Sequence, residues 1–156
     1  MMQIRKIKPE DIGFVIDITS RYGFTKGKLL SNIEGFLICE DYNVKCGCGC
    51  MVPFKGKGYI SWVIVSEDHR RKKLGSAITK ALLNIADQQG IKEVYAAGNC
   101  EGFLTALGFG KQDINAVKDD FITAIGDTSA SEYYRVSLEG YFKPCSSDKT
   151  HNICNK

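Results

Sequence analysis

The sequence predicts an α/β layered domain with a mixed central sheet, and three observations carry that prediction. A helical pattern follows the first strand. Three strands then succeed one another as a meander. The second half alternates strand with helix. Its most informative segment is the β-branched run Val63-Ile64-Val65. This gives way to the acidic turn Ser66-Glu67-Asp68, then to the cationic block Arg70-Arg71-Lys72-Lys73 and Gly75. Leu74, Ala77, Ile78, Ala81, Leu82 and Ile85 follow at the spacing of one helix face.

In chain order, residues 3–7 alternate weakly and read as a strand. Pro9-Glu10-Asp11 opens a helix, with proline early and acids in the first turn, continued by Ile12, Val15, Ile16 and Thr19 on one face. Residues 25–33 are read as a second short helix. Phe36-Leu37-Ile38-Cys39 is a strand, Asp41-Tyr42-Asn43 a hairpin turn and residues 44–54 the partner strand. Gly56-Lys57-Gly58 is expected to turn the chain into the most apolar strand, residues 59–65. A helix over residues 75–89 stops at Gly90. A strand at 94–97, a short helix at 101–107 closed by Gly108, and a strand from Phe109 come next. An inserted helix is predicted at 117–125 and a last strand at 133–138. One domain is expected over residues 1–143, with a polar, loosely ordered tail over 144–156.

At 156 residues, 44% hydrophobic and 25% charged, the chain has the composition of an ordinary globular domain with its own core. A net charge of +3 is too small for a dedicated nucleic-acid binder, so no nucleic-acid partner is expected. No apolar run is long enough to span a membrane, and the first residues lack a signal-peptide core. We therefore expect a cytoplasmic protein without a membrane partner. Seven cysteines, an odd number, are expected to be thiols.

The strand, basic turn and helix start make a site for a phosphorylated ligand. The first turn of a helix offers unpaired N–H groups and a partial positive charge, and the Arg/Lys block adds to both. Elsewhere the bland readings win. Cys46-Gly47-Cys48-Gly49-Cys50 looks like a metal motif. On a strand, however, alternate residues share a face, so it predicts three thiols on one side of a small-residue strand packed under a helix. Cys145, His151 and Cys154 in the tail are read as exposed, His69 as a solvated surface residue and Trp62 as core. No metal is expected.

The element order with this motif resembles the GNAT superfamily of acetyl-CoA-dependent N-acetyltransferases. That family's pyrophosphate loop reads Arg/Gln-x-x-Gly-x-Gly/Ala, and Arg70-Arg71-Lys72-Lys73-Leu74-Gly75 fits it at the first and last positions. Lys73 stands where the family has its first glycine, and helical dihedrals are expected for it. Phe103-Leu104-Thr105-Ala106-Leu107-Gly108-Phe109 resembles the Phe-Tyr-x-x-Leu-Gly-Phe ending. More loosely, the layout resembles the amino-acid N-acetyltransferase branch, with its Phe-Phe-x-x-Leu-Gly-Phe ending and helical insertion before the last strand.

The resemblance implies a GNAT-like, mainly antiparallel sheet flanked by helices, with acetyl-CoA as co-substrate. By the same resemblance the pantetheine arm lies along Val63, Ile64 and Val65. The pyrophosphate is held by Arg70, Arg71, Lys72, Lys73, Leu74, Gly75 and Ser76, with Asn99 and Phe103 adding contacts. The Val65 N–H is implied as oxyanion donor. The tyrosine that often protonates the leaving thiolate is replaced by Leu104, and the strand glutamate that often acts as base by Ser61. Glu40, Glu101 and Tyr59 are the remaining base candidates. The implied reaction is direct attack by a small amine or amino acid on the thioester, in a monomer or homodimer. A catalytically silent acyl-CoA-binding sensor is the alternative.

Overall fold

The computed structural model describes residues 1–21, 33–70, 72–97, 101–113 and 132–142. Its strands are β1 (Met2–Lys6), β2 (Phe36–Asp41), β3 (Val44–Phe54), β4 (Lys57–Val65), β5 (Glu93–Ala97), β6 (Gly110–Gln112) and β7 (Tyr133–Ser137). Its α-helices are α1 (Ile12–Ser20), α2 (Leu74–Gln88) and α3 (Glu101–Ala106), and 3-10 turns cover Pro9–Asp11, Ile33–Gly35 and Glu67–His69. The strands form one sheet in the order β1-β2-β3-β4-β5-β7-β6. Every pairing is antiparallel except β4 with β5, which α2 connects. The helices expected over 25–33 and 117–125, the tail and its Cys145, His151 and Cys154 lie outside the described residues, save that Ile33 opens a 3-10 turn.

The sheet is covered on both faces. Under α2 and α3 lie Leu37, Met51, Ile60, Ile78, Leu82 and Val94, joined by Leu104, Leu107, Phe109, Tyr134 and Val136. Under α1 lie Val15, Ile18, Phe36, Ile38, Trp62 and Ile64. Trp62 is core, as its sequence suggests: it is 5% exposed and its ring stacks on Phe36 at 5.6 Å. On α2 the buried stripe is Leu74, Ile78, Thr79, Leu82, Leu83 and Ala86. That is the expected face rotated slightly, with Ala77, Ala81 and Ile85 at its half-buried margin.

Two bulges decide which side chains go to which face. Cys39 pairs with Gly47 and Glu40 with Lys45, which leaves Cys46 as an extra residue on β3. Cys50 pairs with Trp62 and Met51 with Ile60, which leaves Ser61 extra on β4. Each insertion reverses the alternation beyond it. The three thiols therefore do not share a face, contrary to the sequence reading. Cys46 lies on the α2 side beside Cys39, with their sulfurs 3.5 Å apart, while Cys48 and Cys50 lie under α1. Gly49 does lie under a helix. A Cβ there would fall 2.5 Å from Ile78 Cγ2 and 3.1 Å from Leu82 Cδ1, so its absence lets α2 sit close to the sheet.

The β3–β4 turn is Lys55-Gly56, not Gly56–Gly58. Its two central residues have φ +50° and +82°, the pair of positive values that a two-residue hairpin with the strands' own twist requires. Tyr42-Asn43 turns β2 into β3 in the same way, with φ +50° and +68°.

At the other sheet edge, Asp11 ties α1 down. Its fully buried carboxylate accepts from Arg5 Nη1 and Nη2 at 2.7 and 3.0 Å and from the Lys8 N–H at 2.7 Å, and it lies 3.1 Å from Lys45 Nζ. Arg5 holds this carboxyl far below the usual carboxylate range, and its own pKa is raised in return, by Asp11 first and Glu40 second.

Candidate active site

The sheet opens in its middle. β4 and β5 stay paired from Lys57↔Glu93 to Ile60↔Ala96, and pairing then ends. Ser61, the bulged residue, sits at that point. Beyond it β4 keeps its antiparallel partner β3 through Val65↔Gly47 but, among the described residues, has none on the β5 side.

Which backbone groups face the opening follows from strand geometry. The Ser66 N–H donates to the Cys46 carbonyl at 2.9 Å, and the carbonyls of Ile64 and Trp62 lie against Gly47 and Gly49 of β3. Residues 62, 64 and 66 therefore turn their polar groups to β3. In an extended strand the intervening residues point to the opposite edge. The N–H and C=O of Val63 and Val65 thus face the opening, whereas those of Ile64 do not. The side chains divide likewise, Val63 and Val65 toward α2 and Ile64 toward α1.

The cleft ends on the basic turn. Ser66 is its anchor. Its hydroxyl lies 3.2 Å from the Cys46 carbonyl and 3.0 Å from His69 Nδ1, hydrogen-bonded to both. His69 is thereby tied to the turn and half-buried instead of solvated. Arg70 Nε donates to the Val65 carbonyl at 3.0 Å.

Lys73 precedes α2 with φ +60° and ψ +26°, the left-handed conformation and not the helical one expected for it. It takes the conformation that a glycine would hold without strain, because the chain must reverse there to aim the first turn of α2 at the cleft. The N–H groups of Leu74, Gly75 and Ser76 open that turn. Among the described residues no side chain caps them, and no acid lies in this first turn. Exposed Arg70, Lys72 and Lys73 precede them in the chain. The Leu74 side chain is buried in the core, so only its backbone serves the site.

α3 closes one wall. A Cβ on Gly75 would meet Phe103 Cε1 at 3.5 Å and Val63 Cγ1 at 3.9 Å, so β4, the start of α2 and Phe103 come together. Of the residues singled out from sequence, Val63, Gly75 and Phe103 come together here and Arg70 reaches Val65, with Lys72, Lys73 and Ser76 adjoining them along the chain. Arg71 and Asn99 lie outside the described residues, as does the side chain of Glu101, the first residue of α3.

The base candidates fare differently. Glu40 accepts from Arg5 Nε and Nη2 at 3.3 and 3.1 Å, far across the sheet in the network around Asp11. That gives it a structural role. Tyr59 is 2% exposed on the α1 side, one rung below the last β4–β5 pair. Leu104 is 6% exposed in the core under α2, consistent with a packing residue. Sequence reasoning missed Ser66 and Tyr133. Tyr133 is fully buried and pairs with Ala97, level with the point where β4 leaves β5. The alternation of the last strand would have revealed it.

A groove of about 890 Å³ lies at the opposite end of the sheet, between Lys6, Glu34, Phe36, Pro53, Leu82 and Gln89. None of the cofactor-binding or base candidates named from sequence lines it. Among the described residues no helix is long and apolar enough to cross a membrane, and no cluster of three or more His, Cys, Asp or Glu is placed to hold a metal.

Known structures share this architecture. N-acetylglutamate synthase from Neisseria gonorrhoeae, complexed with coenzyme A and N-acetyl-glutamate, superposes with a TM-score of 0.79 at 17% identity over 88% of this chain. The match takes in 35% of that enzyme, so the chain spans about a third of its length. The Mycobacterium tuberculosis protein Rv2747, solved with CoA, matches with a TM-score of 0.74 at 16% identity, over 87% of this chain and 99% of that one. The ribosomal-protein-S18-alanine N-acetyltransferase of Escherichia coli gives 0.69 and 16%, over 88% and 94%. At such identities these likenesses establish the fold alone. A search among curated proteins finds no match by sequence. The pattern of the acetyltransferase (GNAT) family, however, matches residues 7–109, two thirds of the chain, across the cleft strand, the basic turn and the helix behind it. This chain belongs to the GNAT acetyltransferase family.

Proposed function

We propose that the protein transfers an acetyl group from acetyl-CoA to the amine of a small molecule or amino acid, by direct attack in a ternary complex. One observation carries this reading: the opened edge of β4 runs straight into the uncapped, cation-ringed start of α2. An amide-bearing arm fits the first as a missing strand, and a pyrophosphate fits the second. The GNAT membership supports it. So, for an amino-acid acceptor, does the shared fold of an N-acetylglutamate synthase.

In this reading the Val63 and Val65 backbone groups hold the pantetheine arm. The N–H groups of residues 74–76 hold the pyrophosphate, and Arg70, Arg71, Lys72 and Lys73 supply counter-charge. Phe103 and Asn99 border the cofactor. The thioester is thereby held in line for the amine, and much of the rate enhancement is positional. In the same reading the Val65 N–H stabilises the oxyanion of the tetrahedral intermediate. Coenzyme A leaves as a thiolate, a fair leaving group without help. Tyr59 and Tyr133, two phenols near the opening on the α1 side, are groups to test for proton transfer, with Glu101.

Incubation with acetyl-CoA and a panel of amino acids and small amines should release free thiol with at least one acceptor. No release together with no binding of acetyl-CoA would sink the proposal. A second reading, a silent acyl-CoA-binding module, is favoured by the apolar, buried Leu104 and by Ser61 at the two positions where family members often carry proton-transfer groups. It predicts a thermal shift with acetyl-CoA and no turnover.

A further inference from the structure

Cys39 and Cys46 meet where strand alternation alone would not put them. The bulge on β3 sets Cys46 and Gly47 together against Cys39, so both thiols turn to the α2 side. Their sulfurs lie 3.5 Å apart, and Cys46 Sγ also donates to the Cys39 carbonyl at 3.3 Å. Both residues are fully buried. A disulfide is about 2.05 Å long, so closing one needs an approach of about 1.5 Å. Cys46 can supply it. As the extra residue it has no rung of its own on β2, which makes it the most yielding point of the ladder.

The pair is also close to a way out. Two rungs, Glu40↔Lys45 and Asp41↔Val44, separate it from the Tyr42-Asn43 turn. Fraying of that hairpin end uncovers the sulfurs without unfolding the sheet. Cys48 and Cys50 lie further from the turn and on the other face. In the closed protein burial pushes the Cys39 thiol up to about 12, so its reaction waits on the fraying.

What moves with Cys46 is the anchor of the cleft. Its carbonyl accepts the Ser66 N–H at 2.9 Å and lies 3.2 Å from the Ser66 hydroxyl, which meets His69 Nδ1 at 3.0 Å. These contacts tie the end of β4 to the turn that leads into α2. β3 lies between β2 and β4, so a pull on Cys46 toward Cys39 is a pull away from Ser66.

We propose that Cys39 and Cys46 are a site of reversible oxidation, whose disulfide draws Cys46 off Ser66 and loosens the turn before α2. The effect on cofactor binding rests on the acetyl-CoA reading above; the disulfide does not. The oxidant is a hydroperoxide. One thiol gives up its proton and its sulfur attacks a peroxide oxygen. The O–O bond breaks, hydroxide leaves and takes up that proton as water, and a sulfenic acid remains. The second sulfur then attacks the first. The S–S bond forms, the S–O bond breaks, and the hydroxyl leaves with the second thiol's proton as water. Two sulfurs lose two electrons in all, and hydrogen peroxide becomes two waters. A dithiol reductant restores the pair by exchange.

The test treats the full chain with hydrogen peroxide, blocks the remaining thiols and maps peptides without reduction. A peptide linking Cys39 to Cys46 should appear before Cys48 or Cys50 is modified, and dithiothreitol should remove it. In the oxidised protein the Ser66 amide should exchange with deuterium about tenfold faster, and CoA should bind at least about threefold more weakly, both recovering on reduction. The double variant Cys39→Ser/Cys46→Ser should keep its own CoA affinity through the same treatment. Modification of Cys48 or Cys50 with no Cys39–Cys46 link, or a linked protein whose Ser66 exchange or CoA affinity is unchanged, would overturn the proposal. If the reduced protein binds no CoA, the cofactor reading falls, and the linked peptide and the Ser66 amide still decide this one.

Discussion

Lys73 carries a conformational cost. At φ +60° its Cβ crowds the backbone, a penalty of about 1 kcal/mol that glycine would escape. Lys73→Gly should therefore raise the stability of the ligand-free protein by about 0.5–1 kcal/mol in urea unfolding, partly offset by the freer unfolded chain. The sequence shows the glycine's absence at this position but not the conformation retained, because nothing in a lysine announces φ > 0. Asp11 is the opposite case, a residue whose strain-free partners do the holding. Its carboxyl is depressed far below the ordinary value by Arg5, so its contribution is fully present above about pH 4 and is lost as pH falls through the folded value. Asp11→Asn takes the carboxylate from beside Lys45 and leaves Arg5 with Glu40 alone, and should cost about 3 kcal/mol at neutral pH. Urea titrations between pH 2 and 6 should show a steeper acid loss for wild type than for the variant.

Among the elements, period was legible and phase was not. The stripe from Leu74 to Ile85 gave α2 to within a residue of its start, and short apolar runs placed β2, β4 and β5. A bulge leaves no compositional mark: it is one residue too many against a partner that sequence alone does not identify. Hence the expected common face of Cys46, Cys48 and Cys50 was wrong at Cys46, and Ser61 was read as a lost carboxylate position and not as the hinge of the opening. Gly49 shows the same limit from the other side. It reads as a small residue in a strand, and only the structure shows Ile78 and Leu82 closing over it. Gly49→Ala should push α2 off the sheet and cost about 2 kcal/mol, read as a lowered Tm. Because α2 also carries the first-turn N–H groups, the same variant should weaken binding of CoA.

Over the whole molecule, opposite ends of the sheet do different things. The end where β4 and β5 part holds the phosphate-type turn, while the far end holds the open groove and the edge nearest β1 holds the Asp11 network. The closed middle is dry enough that burial pushes the thiols of Cys39, Cys48 and Cys50 up to about 12. At pH 8 iodoacetamide should leave Cys48 and Cys50 unmodified in the native protein and alkylate them at the rate of global unfolding, as peptide mapping would show. The parting of β4 from β5 has a last consequence, for solubility. A sheet normally has two edges, at its flanks, and here, among the described residues, a further edge lies inside it, with the Val63 N–H and C=O and the Val65 N–H set for pairing. Such an edge is also a template for strands of neighbouring chains. A cofactor seated as the missing strand would then act as a plug as much as a reactant. The protein should accordingly resist clustering when CoA is abundant and become sticky when it is stripped, which light scattering during CoA removal would reveal.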